Sequence, residues 1–157
     1  MNTQVQSELN THVRWMIRRD MPEVLDIENS NYFGWTEQEF LNCLKQKNCI
    51  GMVIENKDND KILGFVVYGL EKNSLEILNL SVHTMYRNKT IGKKLIEKLK
   101  NKLNSHKRTS LIANVRETNL DFQLFLKKMG FIATFVDRQF FDDTKEDAYF
   151  MKYQIPF

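Results

Sequence analysis

The 157-residue chain contains only two cysteines, two prolines, six glycines and three histidines. Cys43 and Cys49 lie six positions apart, without a second Cys or His pair at ligand spacing. That argues against a zinc site or a disulfide framework, and both are expected to be reduced thiols. With so little Gly and Pro, and with 42% hydrophobic and 27% charged residues, the chain is not collagen-like, disordered or of low complexity. Long apolar runs are missing too: Ile62 to Leu70 and Leu75 to Val82 fall well short of the ~20 residues a membrane span needs. The first dozen residues, Met1 to His12, have neither an apolar stretch nor a small-residue cleavage site, so no secretory signal and a cytoplasmic location are expected. Neither charge sign dominates. Lys and Arg number 23 against 20 Asp and Glu, and a net +3 is too small to announce a nucleic-acid partner.

What is present is an ordered succession of amphipathic segments. Residues 1 to 12 are expected as a flexible tail and 13 to 157 as one domain. Val13 to Arg18 alternates like a strand. Asp20, Pro22 and Glu23 form a capping signature for a helix reaching about Asn29. Thr36 with Glu39 opens a second helix ending near Lys47, with Phe40, Leu41 and Leu44 on its apolar face. Three strands follow as an antiparallel meander, 50–54, 62–70 and 75–82, the last carrying Glu76 and Asn79 among apolar neighbours. A helix with Ile91, Leu95, Leu99 and Leu103 on one face and a row of lysines on the other comes next. Strand 110–115, helix 119–129 stopped by Gly130, and strand 131–136 imply a crossover, and 148–155 closes the order βααβββαβαββ. The class is α+β with a mixed sheet.

Charge is distributed unevenly. Residues 87 to 108 hold nine Lys or Arg against Glu97 alone, while 142 to 147 hold four acids against Lys145. The basic segment begins where a strand, Leu75 to Val82, turns through Arg87-Asn88-Lys89-Thr90-Ile91-Gly92 directly into a helix. Backbone amides at such a helix start lack intrahelical partners and sit at the positive end of the dipole, so they suit phosphate oxygens.

This segment resembles motif A of the GNAT N-acetyltransferases, Arg/Gln-x-x-Gly-x-Gly/Ala between a strand and a helix. The likeness extends to Val115-Arg116-Glu117-Thr118-Asn119, to Lys128-Met129-Gly130-Phe131 and to the closing strand Glu146-Asp147-Ala148 to Met151. Within the superfamily the chain looks like the ribosomal-protein-alanine N-acetyltransferase (RimI) group. Ile17 to Leu25, Trp35-Thr36-Glu37 and Leu78-Asn79-Leu80-Ser81-Val82-His83 carry that likeness. It implies the GNAT fold, a mostly antiparallel mixed sheet with about four helices and a splayed central strand pair. It also implies acetyl-CoA as cofactor, held by Arg87, Asn88, Lys89, Thr90, Ile91, Gly92 and Lys93, with Leu80 and Val82 bonding the pantetheine arm and acetyl carbonyl and Asn119 touching from the next helix. The partner implied is a protein or peptide N-terminus, such as that of a ribosomal protein, met by a monomer or weak dimer without membrane or nucleic acid. No metal is required.

Three positions depart from the family pattern. Thr90 replaces the first glycine of motif A. Asn114 stands where a glutamate base is expected and Leu126 where a tyrosine acid is expected, and neither side chain can take that role. The substrate-side tyrosine pair reads Phe140-Phe141, with Phe33 as a further substrate-side ring. Glu76 matches the glutamate of the histone-acetyltransferase branch and is the substitute base. Tyr86 and His83 are weaker candidates at the strand exit. Three readings follow: transfer of acetyl to an α-amino group, transfer to a small amine or lysine, and a non-catalytic acyl-CoA-binding domain.

Overall fold

The computed structural model describes residues 9–87 and 90–156, so Asn88, Lys89 and most of the expected tail lie outside the described residues. Strands β1 (Thr11–Trp15), β2 (Cys49–Asn56), β3 (Lys61–Leu70), β4 (Ser74–Val82), β5 (Ser110–Arg116), β6 (Ile132–Asp137) and β7 (Ala148–Gln154) form one sheet in the order β1-β2-β3-β4-β5-β7-β6. Helices α1 (Met21–Glu28), α2 (Glu37–Leu44), α3 (Ile91–Lys100) and α4 (Leu120–Lys128) complete the expected order. Every neighbouring pair is antiparallel except β4 and β5.

Alternation along β2 and β3 divides the core between the two faces of the sheet. Met52, Ile54, Val66 and Tyr68 join a cluster with Ile91, Leu95, Ile96 and Leu99 of α3 and with Leu126 of α4. Their intervening neighbours Val53, Phe65 and Val67 meet Met21, Val24 and Ile27 of α1 and Phe40 of α2. Each large side chain fully buried this way contributes about 1.5–3 kcal/mol. The helical spacing of the α3 leucines and isoleucines therefore settles which way the lysine face turns.

Several local expectations are corrected. β1 begins at Thr11 because Thr11 and His12 pair with Asn56 and Glu55. The carboxylate of Asp20 does not cap α1; it accepts from the Ile17 amide and pairs with Arg14 at 2.7 Å, closing a short 3-10 turn over 18–20. Glu23 likewise turns away and accepts from the Ile62 amide. The Thr36 cap is formed, its hydroxyl accepting from the Glu39 amide. β5, α4 and β6 do make a crossover, but β7 lies between the two strands. Cys43 and Cys49, expected as free thiols, are joined as a disulfide with their Cα atoms 6.1 Å apart, tying the end of α2 to the start of β2. No helix among the described residues is long and apolar enough to cross a membrane.

Candidate active site

β4 and β5 are paired only from Ser74/Ser110 to Ile77/Ala113. Beyond that point both strands continue, to Val82 and Arg116, without pairing to each other. The departure coincides with a bulge in β4, where Tyr68 faces Ile77 and Val67 faces Asn79, leaving Leu78 as the extra residue. A bulge bends its strand and re-aims side chains. Here it opens the sheet into a cleft of about 1600 Å³.

One part of the cleft is walled by Leu80, Val82, Arg87, Thr90, Ile91, Gly92, Lys93 and Asn119. The structure thus brings together all the described residues of the proposed cofactor set. Lys94 is the first α3 residue whose amide bonds back into the turn, to the Thr90 carbonyl, so the amides of Ile91, Gly92 and Lys93 precede the helical ladder at its positive end. The side chains behave less simply. Arg87 donates from Nε to the Val82 carbonyl and from Nη2 to Ser30 Oγ and Asn31 Oδ1, so its guanidinium leans toward the loop after α1. The space that a Cβ on Gly92 would claim is taken by the Phe125 ring, 3.1 Å away. That glycine therefore admits α4 against α3. Thr90 has φ +67° and makes no side-chain cap, so the β-branched residue is held in the left-handed region. Asn119 caps α4 by accepting from the Phe122 amide.

Glu28, Asn31, Asn79, Ser81, Asn114 and Arg116 line the cleft elsewhere, with Phe33, Trp35 and Phe141 as aromatic walls. Phe33 and Phe141 meet through Arg116, whose guanidinium carbon lies 4.1 Å and 4.0 Å from their ring centroids. The same guanidinium grips Asp143 through two nitrogens, at 3.1 and 2.8 Å, and reaches Glu146 at 3.3 Å. Such a planar fork suits both carboxylates and ring faces. Phe140 does not line the cleft; it stacks edge-on against Phe141 and is 42% exposed. Three of the four acids in the run 142–147 are engaged within the chain: Asp143 and Glu146 hold Arg116, and Asp147 holds Arg138. Burial raises the proton affinity of Glu146, but bonds from the Thr118 hydroxyl and amide and from Arg116 outweigh it and lower its pKa.

Glu76 stands beside the splay rather than on the cleft wall. Its Oε1 accepts from Asn114 Nδ2 at 3.4 Å, and Asn114 does face the cleft. Burial, and secondarily the charge of Glu71, push the Glu76 carboxyl above its ordinary range, while the Asn114 bond opposes them. Leu126 is fully buried among α3 and β5 side chains. His83 accepts from the Met85 amide and stands outside this cleft, whereas Tyr86 is on its wall. Glu28 and Arg116 carry no role in the sequence reading. The first had a visible signal, a carboxylate at helical spacing from Met21 and Val24 on a buried stripe. The second had none, because its partners come from two distant loops.

Residues 11–131 match the acetyltransferase (GNAT) family model. A Bacillus subtilis (strain 168) protein, provisionally named as a ribosomal protein bS18-alanine N-acetyltransferase, is 24% identical over 140 residues, spanning 88% of this chain and 92% of that one. The ribosomal-protein-S18-alanine N-acetyltransferase of Escherichia coli superposes with a TM-score of 0.80 at 21% identity, over 94% of this chain and 95% of the other. Arabidopsis thaliana NAA60, solved in complex with acetyl-CoA, superposes with a TM-score of 0.77 at 16% identity, over 92% and 98% of the two chains.

Proposed function

Because the chain belongs to the acetyltransferase (GNAT) family, we propose that it moves an acetyl group from acetyl-CoA to the α-amino group of a protein or peptide, a ribosomal protein N-terminus in the cytoplasm being the partner class. The observation that carries this reading is the cleft at the β4/β5 splay, with helix-start amides along one part and polar side chains with aromatic walls along another. The named substrate of the Bacillus relative supports the choice of a protein N-terminus.

The residues present fit the cofactor. The amides of Ile91, Gly92 and Lys93 and the charge of Lys93 would hold the phosphates. The edge of β4 beyond Ile77, through Leu80 and Val82, offers backbone groups for the pantetheine arm and for the acetyl carbonyl. When bound, acetyl-CoA supplies an acetyl group already activated as a thioester. The chain's own work is to orient the amine, place a donor where negative charge develops and remove one proton. Glu76, whose raised proton affinity suits a general base, takes that proton through a water beside Asn114.

Calorimetry with acetyl-CoA, followed by thiol release with a panel of peptides and small amines, tests the proposal. Binding and turnover on peptide N-termini are expected. Absence of cofactor binding overturns it, and turnover only on small amines or lysine reassigns the acceptor. The asparagine and leucine at 114 and 126 favour one rival, a domain that binds acyl-CoA without catalysis; binding with no turnover on any amine would establish it.

A further inference from the structure

Three carboxylates are deeply buried among the described residues: Asp20 at 3% exposure, Glu28 at 2% and Glu146 at 8%. Two of them hold an arginine, Asp20 with Arg14 at 2.7 Å and Glu146 with Arg116 at 3.3 Å. Glu28 forms no ion pair among the described residues. Its Oε1 accepts from Asn31 Nδ2 at 3.0 Å and its Oε2 from Asn79 Nδ2, both neutral amides. Asn31 Nδ2 also reaches Ser81 Oγ at 2.6 Å, so the whole group is locked onto β4 just past the bulge. Glu28 is also the last residue of α1, where the negative end of the helix dipole opposes a carboxylate and favours a cation. A buried carboxylate in this setting costs free energy unless a positive charge meets it.

Glu28, Asn31, Asn79 and Ser81 all line the cleft, and the rings of Phe33, Trp35 and Phe141 line it with them. We infer that Glu28 is the anchor for the acceptor's ammonium group, which enters between these rings and supplies the cation that no described residue provides. The inference rests on the N-terminal acceptor reading above and deepens it. The ligand class is a primary ammonium carried on a chain slim enough to pass the aromatic wall. Asn31 and Asn79 hold the carboxylate in place, and the link from Asn31 to Arg87 joins this anchor to the loop that begins the phosphate-binding turn.

The test compares wild type with Glu28→Gln, using acetyl-CoA, a hexapeptide beginning with alanine, and the same hexapeptide with that alanine replaced by propionyl, which lacks only the amine. Glu28→Gln should raise KM for the amine peptide about 10-fold or more and leave the calorimetric Kd for acetyl-CoA unchanged. Wild type should bind the amine peptide more tightly than the propionyl peptide, and the variant should lose that discrimination. A purely structural role would not erase it. Unchanged KM in Glu28→Gln overturns the inference alone, whereas a wild type that turns over no amine overturns it together with the acceptor reading. If Glu28→Gln does not fold, equal binding of the two peptides by wild type overturns the inference, and tighter binding of the amine peptide, together with a raised KM in Glu28→Asp, upholds it.

Discussion

Thr90 occupies a left-handed conformation that costs an ordinary side chain roughly 1–2 kcal/mol and a glycine almost nothing. Thr90→Gly is therefore expected to raise unfolding free energy by about 1 kcal/mol, offset in part by the entropy a glycine gains on unfolding. Urea midpoints would show it, and an unchanged or lowered midpoint would refute the strain argument. Glu76 offers a test of opposite character. A carboxyl whose folded pKa is raised favours the folded state below its unfolded pKa, and that contribution is lost as pH rises through the folded value. At neutral pH Glu76 is thus a burden on stability, and Glu76→Gln should unfold no more easily than wild type. Its kcat should nevertheless fall by about 100-fold, in keeping with a general base. Full activity in that variant across pH would remove Glu76 from the mechanism.

Among the elements, the two loops that frame the proposed acceptor side are joined to each other through one side chain of β5. Arg116 stands between Phe33 of the α1–α2 loop and Phe141 of the β6–β7 loop, and Gly34 lets the first loop fold tightly, since a Cβ there would lie 2.5 Å from the Glu28 carbonyl. Removing Arg116 leaves Glu146 buried without its cation. Arg116→Ala should destabilise the protein by about 3 kcal/mol and weaken peptide binding more than acetyl-CoA binding. Equal losses for both ligands in calorimetry would show that the clamp is not specific to the acceptor side. The disulfide between Cys43 and Cys49 anchors α2, whose Phe40 packs beneath the same region against Trp35 and Phe65.

For the whole molecule, near-neutral charge conceals strong internal pairing. Asp20, Asp143 and Glu146 all have lowered folded pKa values, from bonds to Arg14, Arg116, Thr118 and nearby amides working against burial. Groups of this kind stabilise the fold above their unfolded values, near pH 4, and the stabilisation is lost as pH falls through the lower folded values. Urea midpoints should not fall between neutrality and about pH 5, where protonation of Glu76 acts in the opposite sense, and should drop below about pH 4. Arg116→Ala should flatten that drop, because two of the three carboxylates lose their partner; an equally steep fall in the variant would show that other groups control it.

Period and punctuation in the chain were enough to determine the element order, the buried stripe of α3 and the strand that turns directly into a helix near Gly92, and the likeness to motif A pointed to the family. Each rests on residues close in sequence, where a repeat of two or of 3.6 leaves a direct mark. The Asp20 carboxylate is not a helix cap for the complementary reason: Arg14 and the Ile17 amide compete for it, and only folding places the arginine there. The Cys43–Cys49 pairing, the insertion of β7 between β5 and β6, the Arg116 clamp and the burial of Glu28 against the amides of Asn31 and Asn79 were decided by tertiary structure. All four depend on which groups a fold brings within a few ångströms and on which charges it leaves buried, and neither quantity is local in sequence.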